Sequence, residues 1–511
     1  MVRRSGREGL LPHLPLESRR VIVLANRAPY QHDYAPDGRV MLTRAASGLV
    51  TALEPLVAAC SGTWVAHASG TADDCLVAKR TLPSEIRYQL RYVRLDPDQH
   101  RGYYYGFANE ALWPLCHSVS VAPVFRSNDY RDYDAANAHF AAAVAQEAAG
   151  GSPLVLVQDY HFALAPRYLR KRLPASTIAG FWHIPWPHAR VFRTCPWHRE
   201  LLTGILGNDL IGFQTEEHAA NFVACVRSLL RADVDAHGTI DYCRHTTRVG
   251  VYPVGVDANA GPLWATPAAS VCRARVLHDF DLPESSCIGL GVDRMDYTKG
   301  IHEKLLAVER LLENDPSLRG RFAFIQIAEP SRDCLPAYRD ERARIRETTA
   351  RVNGRFGTTS YTPIRLLEAH HDADEVYRLY RAADLCYVGS LDDGMNLVAK
   401  EFVAARNDER GVLVLSEFAG AAQQLRTALL INPYALDDTA ATLAKAVRMP
   451  ETEQRGRMRL LRANVRTCDA RWWASRFLAD AYSTRGEATS DPEAIAATAW
   501  SDDPSRSVLA M

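Results

Sequence analysis

Two stretches in the second half of the chain carry charge in a pattern that suits a phosphorylated ligand. The first is IGLGVDRMDYTKG, residues 288–300, where an apolar run ends at Val292 and Arg294 and Lys299 follow within one loop. Two fixed cations beside a helix start match a diphosphate. Arginine offers a planar fork, lysine a point charge, and helix N–H groups add partial positive charge. A solvated turn with two surface cations would read the same, so this stretch alone leaves both readings open. Its G-L-G is no dinucleotide fingerprint, because the third glycine is missing.

The second stretch is SLDDGMNLVAKEF, residues 390–402, which follows the run LCYVG. Gly394 lets the backbone approach a ligand closely. The amides of Met395, Asn396 and Leu397 stand where a helix opens, which makes an anion site. Asp393 at that mouth can accept sugar hydroxyls. Glu401 lies about one turn beyond Leu397, where it can bond ribose hydroxyls. The competing reading makes Asp393 a helix N-cap and Glu401 a surface carboxylate. Asp392 and Asp393 do not read as a metal pair, since no third carboxylate or histidine is suitably spaced nearby. Two further apolar runs end in QIAEPSRDC (326–334), with Ser331 and Arg332, and in LSEFAGAAQQL (415–425), whose small residues permit close approach.

The first half has its own polar residues at the ends of apolar runs. VIVLA stops at Asn26-Arg27-Ala28-Pro29, so Arg27 can reach an anion in a crevice. ASGLV (46–50) places Gly48 before a helix-like stretch. YYYGFANEALWP (103–114) carries Tyr104 and Trp113, amphipathic rings that suit either a sugar site or plain core. LVLVQDYHFAL puts Asp159 at a strand end, and FWHIPWP puts His183 at another beside the rigid Pro185-Trp186-Pro187. A structural histidine is the alternative there.

The elements that must position these residues alternate. Short β-branched runs at 21–25, 154–157, 178–184, 210–213, 288–292, 322–327, 385–388, 411–415 and 429–433 are interleaved with amphipathic segments at 142–149, 163–173, 301–315 and 374–385. That alternation predicts βαβ units and parallel sheets. The strands are too many for one open sheet of usual size, so the reading is α/β with two Rossmann-like domains. A seam falls near VYPVGVD (251–257). Ligands collect at the carboxyl ends of strands in such sheets, which is where the residues above stand.

Bulk properties agree. A chain of 511 residues is too long for one ordinary core. With 60 basic and 60 acidic residues it lacks the basic excess of a nucleic-acid binder. Eleven cysteines, an odd count without C-x-x-C, read as reduced thiols of a cytoplasmic protein. No signal peptide and no apolar run long enough to span a membrane is visible.

Together these motifs resemble the trehalose-6-phosphate synthases, the retaining glycosyltransferases of family 20, from about residue 21 to about 483. The resemblance rests on R-x-D-Y-x-K-G (294–300), D-G-M-N-L-V-A-K-E (393–401), V-L-S-x-F-A-G-A-A (414–422), D-Y-H (159–161) and H-I-P-x-P (183–187). It implies a GT-B fold, two Rossmann-like domains with parallel sheets facing across a deep cleft. The expected layout is a flexible leader at 1–19, an acceptor domain at 20–254 and a nucleotide-sugar domain at 255–470. A helix at 471–484 would pack back on the first domain, ahead of a disordered tail at 485–511. It implies UDP-glucose as donor and glucose 6-phosphate as acceptor. Arg294 and Lys299 would hold the donor diphosphate, Glu401 the ribose, and Asp393 with the Met395, Asn396 and Leu397 amides the donor glucose and phosphates. His183 would bond the donor sugar near its 6-hydroxyl, and Gly48 would lie in the loop closing over the donor. Arg27, Tyr104, Trp113 and Arg332 would hold the acceptor, with Asp159 near its reacting hydroxyl.

The sequence departs from the family pattern at Ser47, Asp293, Ser390, Asp392 and the stretch HHDAD (370–374). No cofactor or metal is implied. A separate trehalose-phosphate phosphatase would act downstream, and a homo-oligomer is compatible with the resemblance. Relatives that make glucosylglycerol phosphate share many donor motifs, and a regulatory sugar-phosphate binder is the non-enzyme alternative. A nicotinamide dehydrogenase would need the glycine fingerprint that the chain lacks.

Overall fold

Apolar runs buried on both faces form the central strands of each sheet, and their order fixes where the loops gather. The computed structural model describes residues 20–484, apart from 45–49, 51–52, 55–56, 59, 74–87, 237, 258–262 and 264. The expected leader, the tail, Ser47 and Gly48 lie outside the described residues. The chain divides into two compact units. One gathers described residues 20–116, Pro123–Tyr252 and 470–484, and the other His117–Ala122 and Pro253–Asp469.

In the first unit the strands are β1 (Val21–Leu24), β2 (Tyr30–Tyr34), β3 (Val40–Arg44), β4 (Thr63–His67), β5 (Gln89–Val93), β6 (Leu154–Gln158), β7 (Thr177–Trp182), β8 (Leu210–Phe213), β9 (Asp233–Val234), β10 (Ile240–Tyr242) and β11 (His245–Val251). Nine of them form one sheet in the order β5-β4-β1-β6-β7-β8-β11-β10-β9. From β5 to β11 the pairing is parallel, and β10 and β9 add antiparallel at that edge. β2 and β3 pair separately as an antiparallel ribbon.

The second unit holds β12 (Cys287–Arg294), β13 (Phe322–Glu329), β14 (Ile364–Leu367), β15 (Leu385–Val388), β16 (Val412–Ser416) and β17 (Leu429–Ile431). They form one parallel sheet in the order β14-β13-β12-β15-β16-β17. Its inner strands read as near-continuous apolar runs because each face has its own core, whereas β14 at one edge carries Arg365 and is half-covered. Along β15, Leu385 and Tyr387 enter one core while Cys386 and Val388 enter the other. Val412 and Val414 of β16 join the first, and Leu413 and Leu415 the second.

Both sheets are doubly wound, so each has a point where the strand order reverses. In the first unit the chain moves from β1 out to β4 and β5 on one side, then returns to β6 on the other. In the second it moves from β12 to β13 and β14, then returns to β15. Crevices open at the carboxyl ends of these strand pairs. Arg27 follows β1 and Asp159 follows β6, while Arg294 ends β12 and Asp393 follows β15.

Gly255 lies just past β11, where an added Cβ would strike the backbone of Cys468 and Asp469. The glycine thus lets the segment leaving the first unit pass against the segment that returns to it. The returning helix, Ala470–Ser483, belongs to the first unit. Its Trp473 and Phe477 meet Phe181 of β7 edge-on at 5.3 and 5.4 Å, and Tyr252 donates a 2.7 Å hydrogen bond to Asp480.

Candidate active site

In the second unit three loops are stitched together at the carboxyl edge of the sheet. The loop after β12 accepts the Leu391 amide at the Thr298 carbonyl, 2.8 Å. The loop after β15 is tied to that after β16 by Asp393 N to Phe418 O (3.2 Å), Gly420 N to Asp393 O (3.0 Å) and Ala421 N to Met395 O (2.7 Å). The small residues of Gly420-Ala421-Ala422 permit this close approach and are themselves buried. Gly300 closes R-x-D-Y-x-K-G at φ 61°, and a Cβ there would run into the Gly389 carbonyl. Both conditions demand glycine.

Across this junction the Lys299 ammonium donates to Asp393 Oδ2 at 2.6 Å. Ser390 Oγ (3.2 Å) and Asn396 Nδ2 (3.1 Å) donate to the same oxygen. Burial pushes the Asp393 carboxyl upward, but Lys299, then His117 and the Asn396 bond, outweigh it and hold the group below the usual carboxylate range. Ser390, a departure from the family pattern, thus contributes a donor to Asp393. Another departure, Asp293, is buried and pairs with the buried Lys304 and with Gln326 Nε2 at 2.9 Å.

The helix Leu397–Ala405 opens at this junction, and its N-cap is Asn396, whose Oδ1 accepts the Ala399 amide at 3.1 Å. Asn396 sits at φ 71°, and asparagine tolerates that better than most residues. The capping reading of Asp393 is therefore set aside, because Asn396 does that work and leaves Asp393 on Lys299. Glu401 lies one turn into the helix and accepts from Tyr380 OH at 3.1 Å. Burial raises its carboxyl above the ordinary range.

Arg294, half-buried, ends β12. Nearby, Arg332 follows β13 at φ 51°. Its guanidinium meets the fully buried Asp296 at 3.3 Å and Tyr338 OH at 2.6 Å. Sequence reasoning singled out Arg332 and missed Asp296. The available signal was the one carboxylate inside R-x-D-Y-x-K-G.

In the first unit, Asp159 holds φ 73° and ψ 172°, a region nearly reserved for glycine. Its Oδ1 accepts the amides of Tyr160 (2.9 Å) and His183 (3.2 Å), and its own amide donates to Phe181 O at 2.7 Å. Such strain persists only where surroundings over-determine it, and it clusters at functional sites. His183 Nε2 lies 3.0 Å from Gln158 Oε1, and Gln214 Nε2 lies 3.5 Å from Nδ1. An amide oxygen only accepts, so His183 carries its proton on Nε2 and presents Nδ1 as an acceptor. Burial lowers its pKa to about 3, which keeps the ring neutral.

Tyr104 lies in Arg101–Leu112, which winds as a π-helix, a form frequent at functional sites. Its ring is sandwiched between His100 (5.4 Å, 6° between planes) and His161 (5.7 Å, 8°). His67 extends the stack beyond His100 at 4.4 Å. Burial, then the neighbouring His100, lowers the His67 pKa to about 4. Trp113 is 5% exposed and packs on Tyr160, more core than surface. Arg27 is exposed at the end of β1. Among the described residues no group of His, Cys, Asp or Glu is placed to hold a metal ion, and no helix is long and apolar enough to cross a membrane.

Two doubly wound α/β units, each with charged residues at its switch point, define a GT-B glycosyltransferase. The chain belongs to glycosyltransferase family 20, whose model matches residues 19–483. It is 38% identical over 473 residues to the trehalose-6-phosphate synthase of Mycobacterium avium, covering 91% of this chain and 95% of that protein. A solved E. coli structure bound with UDP-2-fluoro glucose is 30% identical, with TM-score 0.80 over 92% of this chain and all of that one. The UDP-forming α,α-trehalose-phosphate synthase of Burkholderia xenovorans in complex with glucose-6-phosphate is 31% identical, with TM-score 0.78 over 90% of this chain and all of that one.

Proposed function

We propose that this chain is a retaining glucosyltransferase that moves glucose from UDP-glucose to glucose 6-phosphate, giving α,α-trehalose 6-phosphate and UDP. The observation that carries this reading is the Lys299–Asp393 contact at 2.6 Å, which brings the basic loop after β12 and the sugar-binding loop after β15 to one point. Family membership and the relatives' substrates support the identities of donor and acceptor. In this reading Arg294 and Lys299 hold the diphosphate, and Asp393 with the Met395, Asn396 and Leu397 amides holds glucose and phosphate. Glu401 takes the ribose, and His183 bonds the donor sugar near its 6-hydroxyl. Arg27, Tyr104, Trp113 and Arg332 bind the acceptor, and Asp159 sits by its reacting hydroxyl.

Asp393 is engaged by Lys299 and is no free nucleophile. The chemistry that fits is front-face transfer. The leaving phosphate oxygen takes the proton of the attacking acceptor hydroxyl as the sugar–phosphate bond breaks, and Arg294 and Lys299 stabilise the charge left on the diphosphate. Two fixed cations can do this without a metal, so activity should survive EDTA.

The test is an activity screen of UDP-, GDP- and ADP-glucose against glucose 6-phosphate and glycerol 3-phosphate. Release of UDP that requires glucose 6-phosphate, with a non-reducing phosphorylated disaccharide as product, is the expected result. Turnover only with glycerol 3-phosphate, or none with any pair, would overturn it.

A further inference from the structure

Asp296 is fully buried, yet it sits among cations. Its Oδ2 lies 3.3 Å from Arg332 Nη1 and 3.3 Å from the Tyr338 hydroxyl. Arg332 in turn donates to Tyr338 OH at 2.6 Å, so arginine, phenol and carboxylate close a triangle. The other oxygen, Oδ1, accepts the Thr298 amide at 3.1 Å and the Thr298 hydroxyl at 3.0 Å. Those bonds cap the short 3-10 turn Tyr297–Lys299, which delivers Lys299 to Asp393. One carboxylate therefore grips, with separate oxygens, the two loops that carry Lys299 and Arg332.

We infer that Asp296 is a positioning residue that orients Arg332 for the acceptor phosphate while fixing the turn that presents Lys299 to the donor diphosphate. The inference rests on the proposed function, in which Arg332 and Lys299 hold those two groups. Its physical basis is the cost of leaving charge unpaired. A carboxylate with no exposed surface must be matched by cations and donors. Burial alone would raise this carboxyl, but Arg332, Arg294 and Lys299 together hold it below the usual range. It stays ionised, so it is a permanent counterion. Arg332 sits at a backbone angle unusual for arginine and is 6% exposed at the side chain, so its fork has little freedom once gripped. A pre-aimed fork is what bidentate phosphate recognition requires.

Removing the charge has two opposed effects. It unmasks positive charge, which would tighten phosphate binding, and it frees the fork, which would weaken binding. Orientation should win, because the carboxylate's grip is direct and the bidentate geometry is lost with it.

The two oxygens can be separated. Asparagine caps as well as aspartate, so Asp296→Asn keeps the Thr298 side and loses the Oδ2 side, its charge included, because Nδ2 cannot accept from Arg332 or Tyr338. Asp296→Ala removes both. Asp296→Asn should raise KM for glucose 6-phosphate about tenfold and leave donor KM within about twofold. Asp296→Ala should raise both. Tyr338→Phe, which buries no new charge, should raise acceptor KM in the same direction and serves if the Asp296 variants fold poorly. Arg332→Ala is the control. If it leaves acceptor KM unchanged, the acceptor-site reading itself fails. If it raises acceptor KM while Asp296→Asn and Tyr338→Phe leave it unchanged or lower it, the positioning role is overturned. A fall in thermal stability with unchanged KM values would reduce Asp296 to a structural counterion and overturn it equally.

Discussion

At the scale of the residue, the site depends on charges whose partners are visible and on one strained backbone. Replacing Arg294 or Lys299 by alanine removes a preorganised cation from the leaving diphosphate, where such a group contributes roughly 3–4 kcal/mol. Turnover should fall about 100-fold or more. Near-normal kcat in either variant would remove both from the chemistry. Asp159 allows a finer separation. Asparagine at 159 matches the shape of the aspartate that already holds this backbone and still accepts the Tyr160 and His183 amides, so Asp159→Asn should keep its melting temperature and lose at least about tenfold in kcat/KM. Asp159→Ala also loses both accepted bonds and should be less stable by about 1–3 kcal/mol. Equal loss of stability in the two variants would mean that Asp159 matters for folding alone. The sequence displayed these residues because each follows an apolar run. It did not display the strain at Asp159, since that backbone is held by bonds to Phe181 of β7 and to His183 just beyond it. Nor did it decide between Asp393 and Asn396 as the cap. Both are good capping residues, and only the loop path, held by the residues from Phe418 to Ala421, separates them.

At the scale of the element, legibility followed unbroken apolar runs more than burial: β4, buried throughout, was missed because TWVAH begins and ends on polar residues. Strands such as β8 and β15, apolar throughout and buried on both faces, stand where their runs were read. β5, β10 and β11 were not legible, because QLRYV, IDY and HTTRVGV mix polar residues into edge or half-covered positions. The helix Pro336–Phe356 shows how an element can carry a cost unrelated to its period. Its Glu341 is buried; burial first, then the nearby Glu303, raises its carboxyl to about 7 from 4.5. The folded state thus holds a proton there that the unfolded chain gives up at lower pH. By linkage, this stabilises fully below pH 4.5 and is lost as pH rises to about 7. The difference is on the order of 3 kcal/mol. Glu341→Gln cannot ionise, so its melting temperature should fall less than the wild type's between pH 5.5 and 8, as scanning calorimetry would record. Parallel curves for the two proteins would contradict this.

At the scale of the whole molecule, the first unit is not one continuous segment, and its last piece reaches toward the candidate site. The helix Ala470–Ser483 returns after the entire second unit has been built. A helix at this position was expected from the family resemblance alone. Periodicity could not reveal which sheet it covers, since that is decided by contacts more than 200 residues apart in sequence, such as Tyr252 with Asp480. Trp473 on this helix is fully buried and meets Phe181 at 5.3 Å, and the Phe181 ring lies 4.4 Å from His183. Packing is therefore continuous from this returning helix to a residue proposed to bind the donor sugar. Trp473→Ala should destabilise by about 3–5 kcal/mol through the cavity it leaves. If Phe181 then relaxes into that cavity, His183 loses its backing and donor KM should rise several-fold at temperatures where the protein remains folded. Trp473→Phe keeps a ring against Phe181 and should restore most of the donor KM while recovering only part of the stability. Thermal unfolding measured beside donor KM separates the two effects. A large loss of stability with donor KM unchanged in both variants would show that the returning helix supports the fold and does not position His183.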